Sequence, residues 1–269
     1  NQLEVYGDVL PYNTPLTLNS GWGLLGYLHQ SSSDVEFLME SIVDELNPPA
    51  SDLIILKAGD GNVYWPTFML NNIGNLNPGE GYQIKMNTTQ VFSYPDISGQ
   101  RIDDINMIES IHFEKPMQTD QNMTIGIPTY AWQETPNIGD EIAAFDQNGN
   151  IIGMTIFNGH HIALTVWGDD KTTYEKDGAN EYEKIIFKLW DSTNNTEKIL
   201  ELIWEKGIDS YTKNGISVAQ NIRLINQGNN KNLISITDML GREVRGQTKN
   251  QILFYKYDNG DISTKYLFK

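Results

Sequence analysis

Short runs of alternating apolar and polar residues recur along most of this chain, with turn formers between them, and that pattern predicts a mainly β protein. Residues 21–28 read as a buried strand. The period then changes. Ser33 and Glu36 stand at capping-box spacing, and Val35, Leu38, Ile42, Val43 and Leu46 recur at helical intervals until Pro48-Pro49, which predicts one helix. Residues 52–57 and 62–65 read as a hairpin about Gly59-Asp60-Gly61, and 81–86 as a closing strand. Residues 1–97 are therefore expected to form an α+β module with one helix. A polar, weakly patterned linker, 98–108, follows. From 109 to 225, strands at 123–127, 141–145, 151–157, 162–167, 184–190 and 199–204 predict a β-sandwich-like module. Residues 226–232 are the clearest linker in the chain. Beyond it, strand patterns at 233–237, 252–257 and 262–269 predict a small β-sandwich-like C-terminal domain.

Charge separates tail from body. The formal charge is −16, yet from Asn229 onward seven Lys and Arg face four Asp and Glu, a net of +3 that leaves −19 for the first 228 residues. An acidic body repels nucleic acid and anionic membrane, and the change of sign suggests modules with separate partners. No stretch of about eighteen apolar residues is present to span a bilayer. The first residues, Asn1-Gln2-Leu3-Glu4, do not read as a signal peptide, so the chain, if it is exported, would be the C-terminal part of a longer precursor. Cysteine is absent, which excludes thiol catalysis, disulfides and Cys-based metal sites.

The tail carries two ordered blocks. Leu233, Ile234, Ile236, Asp238, Leu240, Gly241, Arg242 and Glu243 form the first, and Leu253, Phe254, Tyr255, Tyr257, Asp258 and Gly260 the second. Together they resemble the short form of the C-terminal sorting domain of the bacterial type IX secretion system, with Asn259 where a second Asp is usual and a last strand, including Lys265, that departs from the family's ending. The resemblance implies a secreted or cell-surface protein of a Gram-negative bacterium, exported through periplasm and outer membrane. Its partners would be an outer-membrane β-barrel shuttle protein, the translocon and a sortase, with attachment to lipopolysaccharide or release to follow. The accessible stretch Gln227, Gly228, Asn229, Asn230 and Lys231 is the candidate cleavage region. In the body, Gly21-Trp22 with Leu76-Asn77-Pro78-Gly79-Glu80-Gly81-Tyr82 is similar to a recurring module of large secreted surface proteins. Gly139 to Asp146 and Val166 to Asp170 resemble modules placed before such sorting domains.

No catalytic motif assembles, and a non-catalytic role is expected. His160-His161 follow Asn158-Gly159 and read as a surface turn. Asp146, Asn148 and Asn150 have the spacing that opens many calcium loops, but an EF-hand would need Glu at the twelfth position, where Phe157 stands. With Asp169, Asp170 and the nearby Asp177 they are candidate calcium ligands, ordinary hairpin turns being the preferred reading. Of the six Trp, most lie in apolar runs and are expected in the core. Trp132 sits in what reads as a polar loop, so Tyr130 and Trp132 are a candidate glycan platform. The alternative reading is thus an adhesin or carbohydrate-binding module, calcium-dependent or not.

Overall fold

A computed structural model describes residues 8–98, 110–225, 233–244, 252–257 and 262–266. The protein is mainly β, and its chain falls into two compact units, Asn1–Leu224 and Ile225–Lys269. The first unit opens with β1 (Leu16–Leu18), β2 (Gly21–Gly26), β3 (Ser33–Asp34), helix α1 (Val35–Met39), β4 (Leu53–Lys57), β5 (Val63–Trp65), β6 (Leu70–Asn71), β7 (Asn75–Leu76), β8 (Gly81–Met86) and β9 (Gln90–Phe92). A five-stranded antiparallel sheet runs in the order β2-β8-β4-β5-β6, flanked by the pairs β1-β9 and β3-β7. Period-2 alternation sends Leu25, Tyr82, Ile84, Met86 and Leu56 to one face, where Val35, Leu38 and Met39 of the helix cover them.

That helix is shorter than its pattern predicts. Ser33 is committed to β3 opposite Leu76, so capping passes to Asp34, whose Oδ1 accepts the Phe37 amide at 3.0 Å. After Met39 the chain tightens into a 3-10 turn, Glu40–Ile42. Asp44 then accepts the amides of Leu46 and Asn47 at 3.1 and 3.0 Å, a local turn that competes with further helix. Leu46, expected on the apolar stripe, is fully exposed.

The second half of this unit contains β10 (Asn122–Ile127), β11 (Glu141–Phe145), β12 (Ile151–Ile156), β13 (Ile162–Trp167), β14 (Ile186–Asp191), β15 (Thr196–Lys206) and β16 (Ile216–Ile225). Their order in one sheet is β12-β11-β14-β15-β16-β10-β13. The two edge strands, β12 and β13, pack on each other, so the sheet rolls into a sandwich-like closure around Ile125, Ile142, Leu164, Val166, Leu189 and Ala219. The pattern expects the first six strands but not β16, whose alternation is broken by Gln220-Asn221. It pairs parallel with β10, Thr124 opposite Ile216.

The two sheets of the unit share a third apolar cluster. Ile55, Val63, Trp65 and Leu70 on the outer face of the first meet Ala163 and Val218 of the second. The turn after β4 is seated in the same junction. Gly61 has φ +90° and a Cβ there would stand 2.9 Å from Thr165 Cγ2, so only glycine fits, while Thr165 Oγ1 donates to the Gly61 carbonyl at 2.6 Å.

Lys57 shares the Ile55 face by strand alternation and is 1% exposed. Its Nζ has no hydrogen-bond partner among the described residues, nor does Oε1 of Gln83, its cross-strand neighbour. The ammonium lies 5.5 Å from the Trp22 ring centroid, with Lys85 at 5.2 Å from the same ring. Burial, then repulsion from Lys85, pushes the Lys57 pKa down to about 7. Between that value and the unfolded 10.5, the unfolded chain holds a proton that the folded chain does not. This group's contribution to stability therefore rises with pH across the window.

Lys57→Met should raise the melting temperature at pH 7, relieving a penalty on the order of 4 kcal/mol. The gap between variant and wild type should shrink as pH rises toward 10.5, and a gap independent of pH in thermal melts would refute the assignment.

Candidate functional site

The three-stranded tail sheet is β17 (Leu233–Thr237), β18 (Ile252–Tyr257) and β19 (Ile262–Tyr266), antiparallel with β18 central. Ile236 stands opposite Tyr255 and Thr237 opposite Phe254, with a bulge between Leu233 and Ser235. Tyr255 is opposite Ser263 on the other side. Leu253 is 2% exposed, whereas Ile234, Met239, Leu240 and Ile262 are 61–76% exposed.

Asp238 organises the turn that follows β17. Its Oδ1 accepts the amides of Leu240 and Arg242 at 2.9 and 3.0 Å, and Oδ2 takes both Nε and Nη2 of Arg242 at 2.7 Å. The Asp238 carbonyl accepts the Gly241 amide at 3.0 Å, and Gly241 has φ +76° with nothing near its would-be Cβ, so glycine is required there for conformation alone. A bridge between Thr237 and Glu243 returns the chain to β17. The bond from the Arg242 backbone, aided by the guanidinium, holds the Asp238 carboxyl below the usual carboxylate range. Arg242 is 74% exposed, and its guanidinium pairs with Asp238.

The structure thus gathers Asp238, Leu240, Gly241, Arg242 and Glu243 into one turn. Phe254, Tyr255 and Lys256 lie on the neighbouring central strand. Tyr257 and Lys265 occupy β18 and β19 by backbone position. Asp258, Gly260 and the cleavage stretch Gln227, Gly228, Asn229, Asn230 and Lys231 lie outside the described residues.

The calcium-like spacing at Asp146 resolves into a closed turn. Asp146 Oδ1 accepts the amides of Asn148 and Asn150 at 2.9 and 2.8 Å; Oδ2 takes Asn150 Nδ2 at 2.9 Å and Lys176 Nζ at 2.6 Å. Lys176 also binds Glu183 at 2.8 Å, and Glu183 in turn accepts the amides of Gln147 and Asn180. Lys176 brings the protein's own ammonium to this turn. Burial alone raises the Asp146 carboxyl, but the bonds from Lys176 and Asn150 together outweigh it and hold the group low. Nothing in local spacing announces Lys176, thirty residues away in the chain.

The same arrangement recurs after β14. Asp191 accepts the amides of Thr193 and Asn194 with one oxygen, and Lys198 Nζ and Asn194 Nδ2 with the other. The Lys198 ammonium, then Asn194, holds this carboxyl well below the usual range. Along β11, Asp140 accepts the Asn137 amide and the Ser192 amide and hydroxyl. Glu141, 1% exposed, takes three consecutive amides, those of Ile111, His112 and Phe113. The run Gly139 to Asp146 is therefore a strand with a structural carboxylate at each end.

Asp169, Asp170 and Asp177 form a self-bonded loop. Asp169 accepts the Asp177 amide, Asp177 accepts the Asp170 amide, and Asp170 accepts the amide and hydroxyl of Thr172. Among the described residues, no group of three or more His, Asp or Glu is placed to hold a metal ion.

Trp132 is a correction to the loop reading. It is 8% exposed, belongs to the main core of the second sheet and lies edge-on to Phe157 at 6.3 Å, because a bridge to Ile222 draws its segment onto β16. Tyr130 remains 61% exposed and donates to Glu205 at 3.1 Å, so the two rings make no shared platform. His160 is exposed, while His161 is half-buried and accepts the Thr129 amide at 3.1 Å on Nδ1. Burial, then His160, lowers the His161 pKa. No family model matches the chain, and no curated protein or solved structure matches it significantly.

Lys176→Met should destabilise the first unit by about 3 kcal/mol by stranding the buried Asp146 and Glu183 carboxylates. Adding Asp146→Asn should recover part of that loss, a coupling readable from denaturant melts of the single and double variants. In the tail, the amide protons of β18 should exchange with solvent orders of magnitude sooner than those of β10 and β13, as hydrogen-exchange mass spectrometry would read.

Proposed function

We propose that residues 233–269 are a type IX sorting signal and that the chain is the non-catalytic C-terminal region of a secreted or cell-surface protein of a Gram-negative bacterium. The observation that carries the reading is the turn Asp238 to Arg242, in which the resemblance's own residues are bonded to one another in a compact unit distinct from residues 1–224. Three of the matched residues have a physical task there. Asp238 collects the amides, Gly241 supplies the positive φ, and Arg242 neutralises the carboxylate while standing outside it. Leu240 and Met239 at the tip are exposed apolar residues of the kind a partner covers. In this reading an outer-membrane β-barrel shuttle protein receives the tail and a sortase removes it by cutting within 227–231. Lipopolysaccharide attachment or release then follows. The acidic body is the cargo's last portion, its turns fixed by internal cations such as Lys176 and Lys198.

Fused behind a fluorescent carrier and expressed in a type IX secretor, residues 225–269 should send the carrier outside the cell. Asp238→Ala should reduce the exported fraction severalfold without lowering the carrier's fluorescence per molecule. Periplasmic retention of the unmutated fusion would remove the proposal.

A further inference from the structure

Lys57 is a buried amine that the fold leaves unpaired. It is 1% exposed, and neither its Nζ nor the buried Oε1 of Gln83 has a hydrogen-bond partner among the described residues. Strand register sets its neighbours on the outer face of the first sheet. Gln83 of β8 is directly opposite, Lys85 is the diagonal neighbour two residues further along β8, and Trp22 of β2 stands opposite Lys85. The Trp22 ring centroid is 5.5 Å from Lys57 Nζ and 5.2 Å from Lys85 Nζ, so one indole covers both amines.

Such an amine is a nucleophile. With burial and then Lys85 holding its pKa at about 7, much of Lys57 carries a free lone pair at neutral pH, where an ordinary lysine at 10.5 carries almost none. The charges acting on the pair are cationic: Lys85 on Lys57, and Lys206 of β15 on Lys85. Enclosure then selects the electrophile. A bulky carbonyl compound cannot reach a nitrogen so covered, and an ionic acyl donor would have to shed its hydration to do so. Carbon dioxide is small, linear and uncharged. Its product also suits the neighbours. The Lys57 lone pair forms an N–C bond to the carbon, one C–O π pair moves onto oxygen, and an N–H proton leaves to solvent, which gives a lysine carbamate. The remaining N–H is a donor for Gln83 Oε1, and the new carboxylate is a counter-ion for Lys85, so a like-charge pair becomes an ion pair. Trp22, half-buried on the edge strand β2, is the side chain that would turn aside to admit the added group.

We propose that Lys57 is a carbon dioxide site, reversibly forming a carbamate that pairs with Lys85 and donates to Gln83. The site lies in the first unit and is independent of any export role for the tail.

Carbon-13 NMR of the whole chain under labelled carbon dioxide tests this. The α-amino group, with an ordinary pKa of about 8, supplies one carbamate resonance as an internal reference. A second should appear, vanish in Lys57→Met, and weaken severalfold in Lys85→Met while Lys85→Arg retains it. At constant carbon dioxide pressure the second signal should grow as pH rises through about 7, because the reaction consumes the free amine and releases a proton. Alkylation with a trialkyloxonium salt followed by peptide mass spectrometry should place the trapped carbamate on Lys57. Carbon dioxide at fixed pH should also raise the melting temperature of the wild type and not that of Lys57→Met. Identical spectra for wild type and Lys57→Met, or a Lys57 signal indifferent to Lys85→Met, would overturn the proposal.

Discussion

The interaction on which this structure depends is a carboxylate at the end of a strand that gives one oxygen to turn amides and the other to a cation. Asp146 with Lys176, Asp191 with Lys198 and Asp238 with Arg242 repeat it in three turns. In a chain with no cysteine, these contacts fix where each hairpin reverses, and hence the register of the strands it joins. They also account for the acidity of the body in part. Asp140 and Glu141 hold backbone segments distant in sequence, and their charges serve packing before they serve any partner. Such turns as those of Asp146 and Asp191 keep their contribution above the ordinary carboxylate pKa and lose it on acidification, the direction expected where folded values are depressed.

Legibility follows the range of the interactions. Strands β10 to β15 can be read because alternation is local, and the hairpin turns because Asn, Asp and Gly tolerate positive φ. The helix falls short of its own period. Ser33 is drawn into β3 and Asp44 offers the chain a competing turn, two tertiary facts invisible in spacing. Trp132 differs from its pattern for the same reason: Tyr130 to Pro136 looks polar in sequence, yet the bridge to Ile222 pins the ring inside. The calcium-like spacing at Asp146 does mark a turn, while the occupant of that turn comes from Lys176, far along the chain. Strand β16 escapes because Gln220 and Asn221 interrupt the very pattern that identifies a strand.

The junction between the two sheets of the first unit follows a different logic. Its apolar half, Ile55, Trp65 and Val218, packs as any core does. Its polar half contains Lys57, an amine without a hydrogen-bond partner among the described residues. A purely structural interface would replace such a lysine by methionine with gain. Its presence marks this face as the place where the fold tolerates an internal cost.

In the tail, Leu253 is 2% exposed, whereas Ile236, Ile252 and Phe254 are half-buried and Ile234 and Ile262 stand in solvent. Strands with half-buried apolar residues open at smaller free-energy cost than strands packed in a core such as that around Ile125 and Leu164. Where a strand opens first, a binding partner or a protease reaches it first.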